Sequence, residues 1–353
     1  MKTHRNIHTI AFFISHSSVH TESVKSLLIL SLIALIVPVL QGCTEHPQDG
    51  DFTEAVSRSS VKVAVRHIQD TRTRSLDVLV FNDDALQRLD CYQNIPYCPE
   101  EDIMIGSCSG NKTLIICANL QWGKDDWMTY NSFTKACSMR INLEDEQKEY
   151  PVMASYTHFD AGDEAQVMMQ RASSEIVLSS ISCDFSGKPY DGEKITEARA
   201  YLTNINASCS ILPQEHETME RIINHGGLID QDLQKFSDKS LIMCELGEIG
   251  ADLLQPSCKL LCYHNTSPEE SVGTPFTRLV IEGRIQGEKW FWPIDINRGG
   301  ANTGIERNRR YIFNITIRGK GTKNPDTPVA HHTADITFKA ETWKEKEEYC
   351  VSF

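Results

Sequence analysis

Residues 277–296 read TRLVIEGRIQGEKWFWPIDI. An apolar run ends at Gln286-Gly287-Glu288 and returns through Trp290 and Trp292, the pattern of two strands joined by a tight turn. The next segment, RRYIFNITIRGKGTKNPDTP (309–328), sets Tyr311, Phe313, Ile315 and Ile317 against Asn314 and Thr316, then stops on a Gly, Asn and Pro cluster. That alternation has the period of a strand with one face buried. ADITFKAETW (334–343) repeats it with Ile336, Phe338 and Ala340, and the chain closes on KEKEEYCVSF, with Tyr349, Val351 and Phe353 on one face.

The same grammar extends upstream. SVKVAVRH (60–67) alternates Val61, Val63 and Val65 around Lys62, and SLDVLVFNDDALQRLDCY (75–92) reads as a hairpin turning at NDD. KTLIICANL (112–120) reads as a central strand buried on both faces. AQVMMQRASSEIVLSSISCDFSG and ITEARAYLTNINASCSIL continue in strand style. Two helical patches are expected. One is short and lies around residues 128–139. The other is PQEHETMERIINHGG (213–227), with Pro213 near its start, acids in its first turn, Met219, Ile222 and Ile223 on one stripe, and Gly226 as its C-cap. Short alternating strands with frequent turns give an all-β sandwich architecture. A break near YTHFDAGDEAQ (156–166) divides it into sandwiches at 60–160 and 161–353, each long enough for its own core.

The N-terminal segment has another character. Residues 27–40, LLILSLIALIVPVL, carry no charge and follow Lys25. The run is shorter than the roughly 20 apolar residues a transmembrane helix needs, and reads as the apolar region of a secretory signal. It ends in Leu40-Gln41-Gly42-Cys43, similar to a bacterial lipobox, which makes 1–42 a lipoprotein signal and Cys43 the acylated first residue of the mature chain. Several acyl chains on one residue anchor a domain durably, since each buried CH₂ contributes ~0.8 kcal/mol. Residues 1–23 hold four of the twelve histidines and lie outside an otherwise complete signal, so translation is expected to start at Val24. Residues 43–59, polar and acidic, read as a flexible tether.

Without residues 1–42 the chain has 32 basic and 47 acidic side chains and a formal charge of −15, which argues against nucleic acid as a partner. Eleven cysteines follow Cys43. Cys117 and Cys183 sit in apolar runs as small hydrophobes, and Cys91 and Cys98 flank a turn that could bring them into a disulfide. Cys258, Cys262 and His264 tempt a zinc reading. Positions four apart in an extended strand are ~13 Å separated, which fits neither a disulfide nor a shared metal. No nucleophile elbow, HExxH, P-loop or dinucleotide fingerprint occurs, and the acid-rich DDALQRLD and NLEDEQKE lack EF-hand spacing and read as solvated faces. No enzyme activity and no cofactor are expected. Aromatics in KWFWP and TWKEK suit core packing, or stacking on a sugar in a monomeric surface lipoprotein that binds glycans.

The lipobox, the valine strand, LDVLVFNDDALQRLDCYQ (76–93), SSISCDFSGKPYDGEKITEARAYLTNINAS (179–208), GIERNRRYIFNITIRGKGTKNPDTP (304–328) and TFKAETWKEKEEYCVSF (337–353) together resemble the FimB/Mfa-like fimbrial lipoproteins of Bacteroidales. The resemblance implies two tandem transthyretin-like β-sandwich domains. It also implies a role as anchor, accessory or tip subunit of a type V pilus, with other fimbrial subunits and the outer membrane as partners and a host or bacterial surface receptor as a further one. Polymerising relatives lose their first strand to an arginine-directed protease, and a strand of the next subunit fills the groove, whereas anchor-type members keep both lipid and strand. Carried onto this chain, Cys43 bears the lipid and SVKVAV is the first strand. Arg58 lies before it and Arg66, Arg72 and Arg74 after it, as candidate processing positions.

Overall fold

A computed structural model of the chain describes residues 58–66 (backbone only), 73–96, 103–160, 164–214, 217–298, 304–329 and 334–343. Cys43, Arg72, Cys98 and the terminal EYCVSF lie outside the described residues.

The first strands are β1 (Arg58–Arg66), β2 (Ser75–Asn82), β3 (Leu89–Pro96), β4 (Ile103–Cys108) and β5 (Asn111–Ala118). Then follow β6 (Arg140–Asn142), β7 (Met153–Asp160), β8 (Ala165–Met168) and β9 (Gln170–Arg171). They build a five-stranded sheet, β3-β2-β5-β7-β9, and a three-stranded sheet, β4-β1-β8. Between these sheets lies one apolar cluster, with Leu76, Val78, Val80, Leu114 and Ile116 on one side and Ile103, Ile105, Ala165 and Val167 on the other. As the sequence implies, β5 is central and buried on both faces: its outer face, with Ile115 and Cys117, packs under Trp127, Ala136 and Met139.

The later strands are β10 (Ser174–Cys183), β11 (Ile195–Thr203), β12 (Ile205–Asn206), β13 (Ser208–Ser210), β14 (Ile222–Ile223) and β15 (Met243–Ile249). The last are β16 (Cys258–Cys262), β17 (Arg278–Ile285), β18 (Glu288–Asp295), β19 (Arg309–Ile317) and β20 (Ala334–Thr342). Two four-stranded sheets result, β16-β10-β19-β20 and β15-β11-β17-β18. The β17–β18 hairpin turns on Gln286 (φ 52°) and Gly287 (φ 80°). Two successive positive φ values make a primed turn, whose twist matches that of the paired strands. Ladders stay within residues 58–171 or within 174–342, apart from the short β6–β13 pair.

The helices depart from expectation. The patch around 128–139 breaks into α1 (Lys124–Met128) and α2 (Phe133–Ala136), with a further short helix α3 (Asp230–Leu233). The helix read into 213–227 is absent from its described residues; Ile222–Ile223 instead pairs with β12, and Gly226 (φ 70°) lies in a turn. Side-chain partners distant in sequence override the local helical pattern. The Glu217 carboxylate takes the Ser210 N–H and faces His264 at 3.4 Å, while Arg221 clasps Glu144. NLEDEQKE also departs from a solvated face, because Glu146 is buried. Finally, β1 starts at Arg58, inside the span read as tether, and Arg58 and Arg66 are its end residues, where the sequence placed them just outside the strand.

Candidate functional site

β1 is the middle strand of its sheet. It runs antiparallel to β4, with Arg58 opposite Cys108, Val61 opposite Ile105 and Val63 opposite Ile103. On its other edge it runs parallel to β8, with Val63 opposite Ala165, Val65 opposite Val167 and Arg66 opposite Met168. Every valine thus occupies a register position next to a buried apolar residue of a neighbouring strand. The alternate rows contain Met104 and Met168, which are 55% and 59% exposed. Taking β1 away would leave β4 and β8 as two facing edges with unpaired N–H and C=O groups, floored by the buried cluster behind them. Such a slot accepts an incoming strand by main-chain hydrogen bonding, with alternating side chains setting register.

At the Arg58 end of the slot, where Cys108 lies opposite, a polar anchor ties β4 to β3. Asp90 accepts the Cys108 N–H at 2.9 Å and the buried Lys112 ammonium at 3.1 Å. Burial works against its charge, but the Cys108 and Lys112 bonds prevail and hold its carboxyl below the ordinary range. Asp77, on β2 and on the face it shares with Leu79 and Phe81, away from the slot, is bonded by Tyr92 and Asn94 at 2.9 Å each. There burial prevails and raises its pKa, and also raises that of Tyr92.

The arginines read as processing positions fall in three settings. Arg58 and Arg66 end β1, so cutting at either needs that end of the ladder to open. Arg74 is exposed, with its guanidinium 3.7 Å from the centre of the Tyr150 ring and its N–H bonded to Asn119 at 3.3 Å. Arg72 is outside the described residues.

The aromatics weighed for sugar stacking are core or covered. Trp292 is fully buried and donates from Nε1 to the Gly319 carbonyl at 3.0 Å. Trp343 is buried under Arg171, and Trp290, half-buried, is capped by the Lys323 ammonium 3.5 Å from its ring centre. Cys258 and Cys262 are both buried, and burial pushes the Cys262 thiol up to about 12. Among the described residues no cluster of three or more His, Cys, Asp or Glu is placed to hold a metal ion.

Sequence reasoning missed three buried polar centres. Arg278, 2% exposed, binds Glu270 (2.7 Å), Asp295 (2.7 Å) and Asp326 (2.5 Å). Glu146 accepts the Val152 N–H at 3.0 Å and lines a cavity of about 430 Å³ with Trp122, Arg140 and Asn142. Lys112 is closed in by Asp90 and Asn82. Each partner set spans distant segments, so no local signal marks it.

No family model matches the sequence, and no curated protein matches it. Solved structures do share its fold. A protein assigned to cell adhesion from Bacteroides eggerthii DSM 20697 superposes with a TM-score of 0.62 at 14% identity, over 81% of this chain and 96% of that one. A fimbrilin from Porphyromonas gingivalis W83 gives 0.58 at 14% identity, over 82% and 98%. A protein assigned to cell adhesion from Parabacteroides distasonis ATCC 8503 gives 0.58 at 14% identity, over 83% and 98%. The all-β reading and the resemblance behind it therefore hold at the level of fold: the chain is folded as these fimbrial and cell-adhesion proteins of Bacteroidales are.

Proposed function

We propose that the chain is a structural subunit of a type V-like fimbria, held at the outer membrane by lipid on Cys43 as an anchor or accessory (tip) component, and joined to neighbouring subunits by β-strand complementation. Its body is two sandwiches, divided near residue 160, and it has no enzyme activity. The observation that carries this reading is the position of β1, an N-terminal strand set between β4 and β8 over an apolar floor. An anchor keeps this strand. A polymerising or tip subunit loses it through cleavage at Arg66, Arg72 or Arg74, and a strand of its neighbour takes the slot. Cleavage at Arg58 releases the lipid and leaves nearly all of β1 in place. The fold shared with a fimbrilin and with cell-adhesion proteins supports the same reading.

Mass spectrometry of the mature N-terminus tests the anchor: an acylated Cys43 is expected on a retained subunit, and a chain starting after one of the four arginines on a released one. Immunogold labelling tests the assembly, with label on filaments expected. Label dispersed over the cell surface away from filaments, on a monomeric protein that binds glycans, would replace this reading with that of a glycan-binding surface lipoprotein.

A further inference from the structure

Lys112 lies on β5 with its side chain 1% exposed, in one row with Leu114 and Ile116, which face the apolar cluster of the slot. Directly opposite it in the β2–β5 ladder is Asn82. Opposite it in the β5–β7 ladder is Phe159, packed against the same cluster. The Lys112 Nζ is 2.5 Å from the Asn82 side-chain oxygen and 3.1 Å from Asp90 Oδ2. Asp90 is the extra residue of a β-bulge: Val80 pairs with Cys91 and Phe81 with Leu89, so Asp90 has no ladder partner on β2. A bulge re-aims a side chain, and here the Cys108 N–H, 2.9 Å away, holds the carboxylate oxygen that meets the lysine.

A buried ammonium is costly to keep, and the groups that can discharge it are already in contact. The Asn82 amide carbon lies one C=O bond, about 1.2 Å, beyond its oxygen and so within about 3.7 Å of Nζ, beside the ~3–3.5 Å of a near-attack pair. We propose that Lys112 and Asn82 condense to an isopeptide bond that ties β5 to β2, with Asp90 carrying the protons. Against its partial burial, the bonds from Cys108 and Lys112 keep Asp90 ionised, so it enters the step able to accept a proton. The apolar surround keeps water from competing for the amide carbon.

Asp90 takes one proton from the ammonium, and the lone pair of the resulting amine forms a bond to the Asn82 amide carbon. Asp90 passes that proton to the amide nitrogen, whose bond to the carbon breaks as it leaves as ammonia. The former amine sheds a second proton as the new amide forms, and Asp90 hands it to the ammonia. One C–N bond replaces another, an ammonium ion is released, and nothing is oxidised or reduced. The step needs this site alone and does not depend on the fimbrial role.

Trypsin makes the test direct. Without the bond it releases 75–88, which carries Asn82, and 89–112, which ends at Lys112. With the bond Lys112 is no longer a cleavage site, and the next one is Lys124. The full chain is purified folded, then denatured, alkylated, digested and weighed by mass spectrometry. The expected species is 75–88 joined to 89–124, lighter than their sum by one ammonia. Free 75–88 together with free 89–112 from the wild-type chain overturns the bond. Free 75–88 beside a peptide 89–124 lighter by one water places the link on Asp90 and overturns Asn82 as the acceptor. Asp90→Ala, shown to be folded by circular dichroism, is expected to give the two unlinked peptides; the joined species from that variant overturns Asp90 as the proton carrier.

Discussion

Glu146 is a carboxyl the fold holds at a cost, and Glu146→Gln measures it. One carboxylate oxygen accepts the Val152 N–H at 3.0 Å. The Ser173 and Tyr263 hydroxyls lie by the group, but its other oxygen has no partner of good geometry. Burial raises its pKa from 4.5 to about 7, against those bonds and the Arg307 charge. The folded chain therefore holds this proton more tightly than the unfolded chain, and stability contributed by the group falls as pH rises from 4.5 to about 7. At ~1.4 kcal/mol per pH unit, the ionised carboxylate costs about 3 kcal/mol above pH 7. The Gln variant keeps an oxygen for Val152, presents an amide to the two hydroxyls, and has nothing to ionise.

Urea denaturation of variant and wild type across pH 4 to 8 reads the difference directly, and other titrations cancel in the subtraction. The curves are expected to agree near pH 4 and to separate through pH 5–7, with the variant more stable at pH 8 by up to about 3 kcal/mol, roughly 1 M in urea midpoint. A difference that stays constant with pH, or that favours the wild type as pH rises, would refute the reasoning.

Other perturbations test the packing. A Cβ on Gly321 would stand 2.0 Å from the Phe291 carbonyl oxygen, so Gly321→Ala is expected to break the paired Phe291–Thr322 bonds and the Trp292–Gly319 bond, costing about 2–3 kcal/mol and lowering the melting temperature. Arg278→Met leaves three carboxylates facing one another without their cation. Partial exposure softens the loss to about 2–4 kcal/mol at pH 7. Glu270 is held below its ordinary pKa, against burial, by Arg278, so its stabilisation is present above the unfolded pKa and lost as pH falls. Denaturation should show the variant's deficit narrowing toward pH 4.

The hairpin of β17 and β18 was legible because alternation and a turn tolerant of positive φ coincide within twenty residues, and β19 and β20 because one face of each is apolar. β5 was legible from its unbroken apolar run. What the sequence hid are relations between distant segments. The pattern in 213–227 satisfies helix rules, yet Glu217 and Arg221 are committed to partners in other segments. Glu146 looked solvated among its acidic neighbours because the chain that buries it comes from elsewhere. The alternation of β1 marked it as a strand, but nothing local shows that a four-residue strand a hundred residues later, β8, lies parallel to it and makes it central. The candidate site is that relation, so its strand was legible and its slot was not.

On this reading β1 fills a slot that another strand can take. The direct measurement is to prepare the chain cut after Arg74 and freed of its β1 peptide, and to follow its assembly by size-exclusion chromatography with and without a synthetic SVKVAV peptide, residues 60–65. The uncut chain is expected to stay monomeric, the stripped chain to form oligomers, and the peptide to suppress them. A stripped chain that stays folded and monomeric without binding the peptide, or oligomers indifferent to it, would contradict the account.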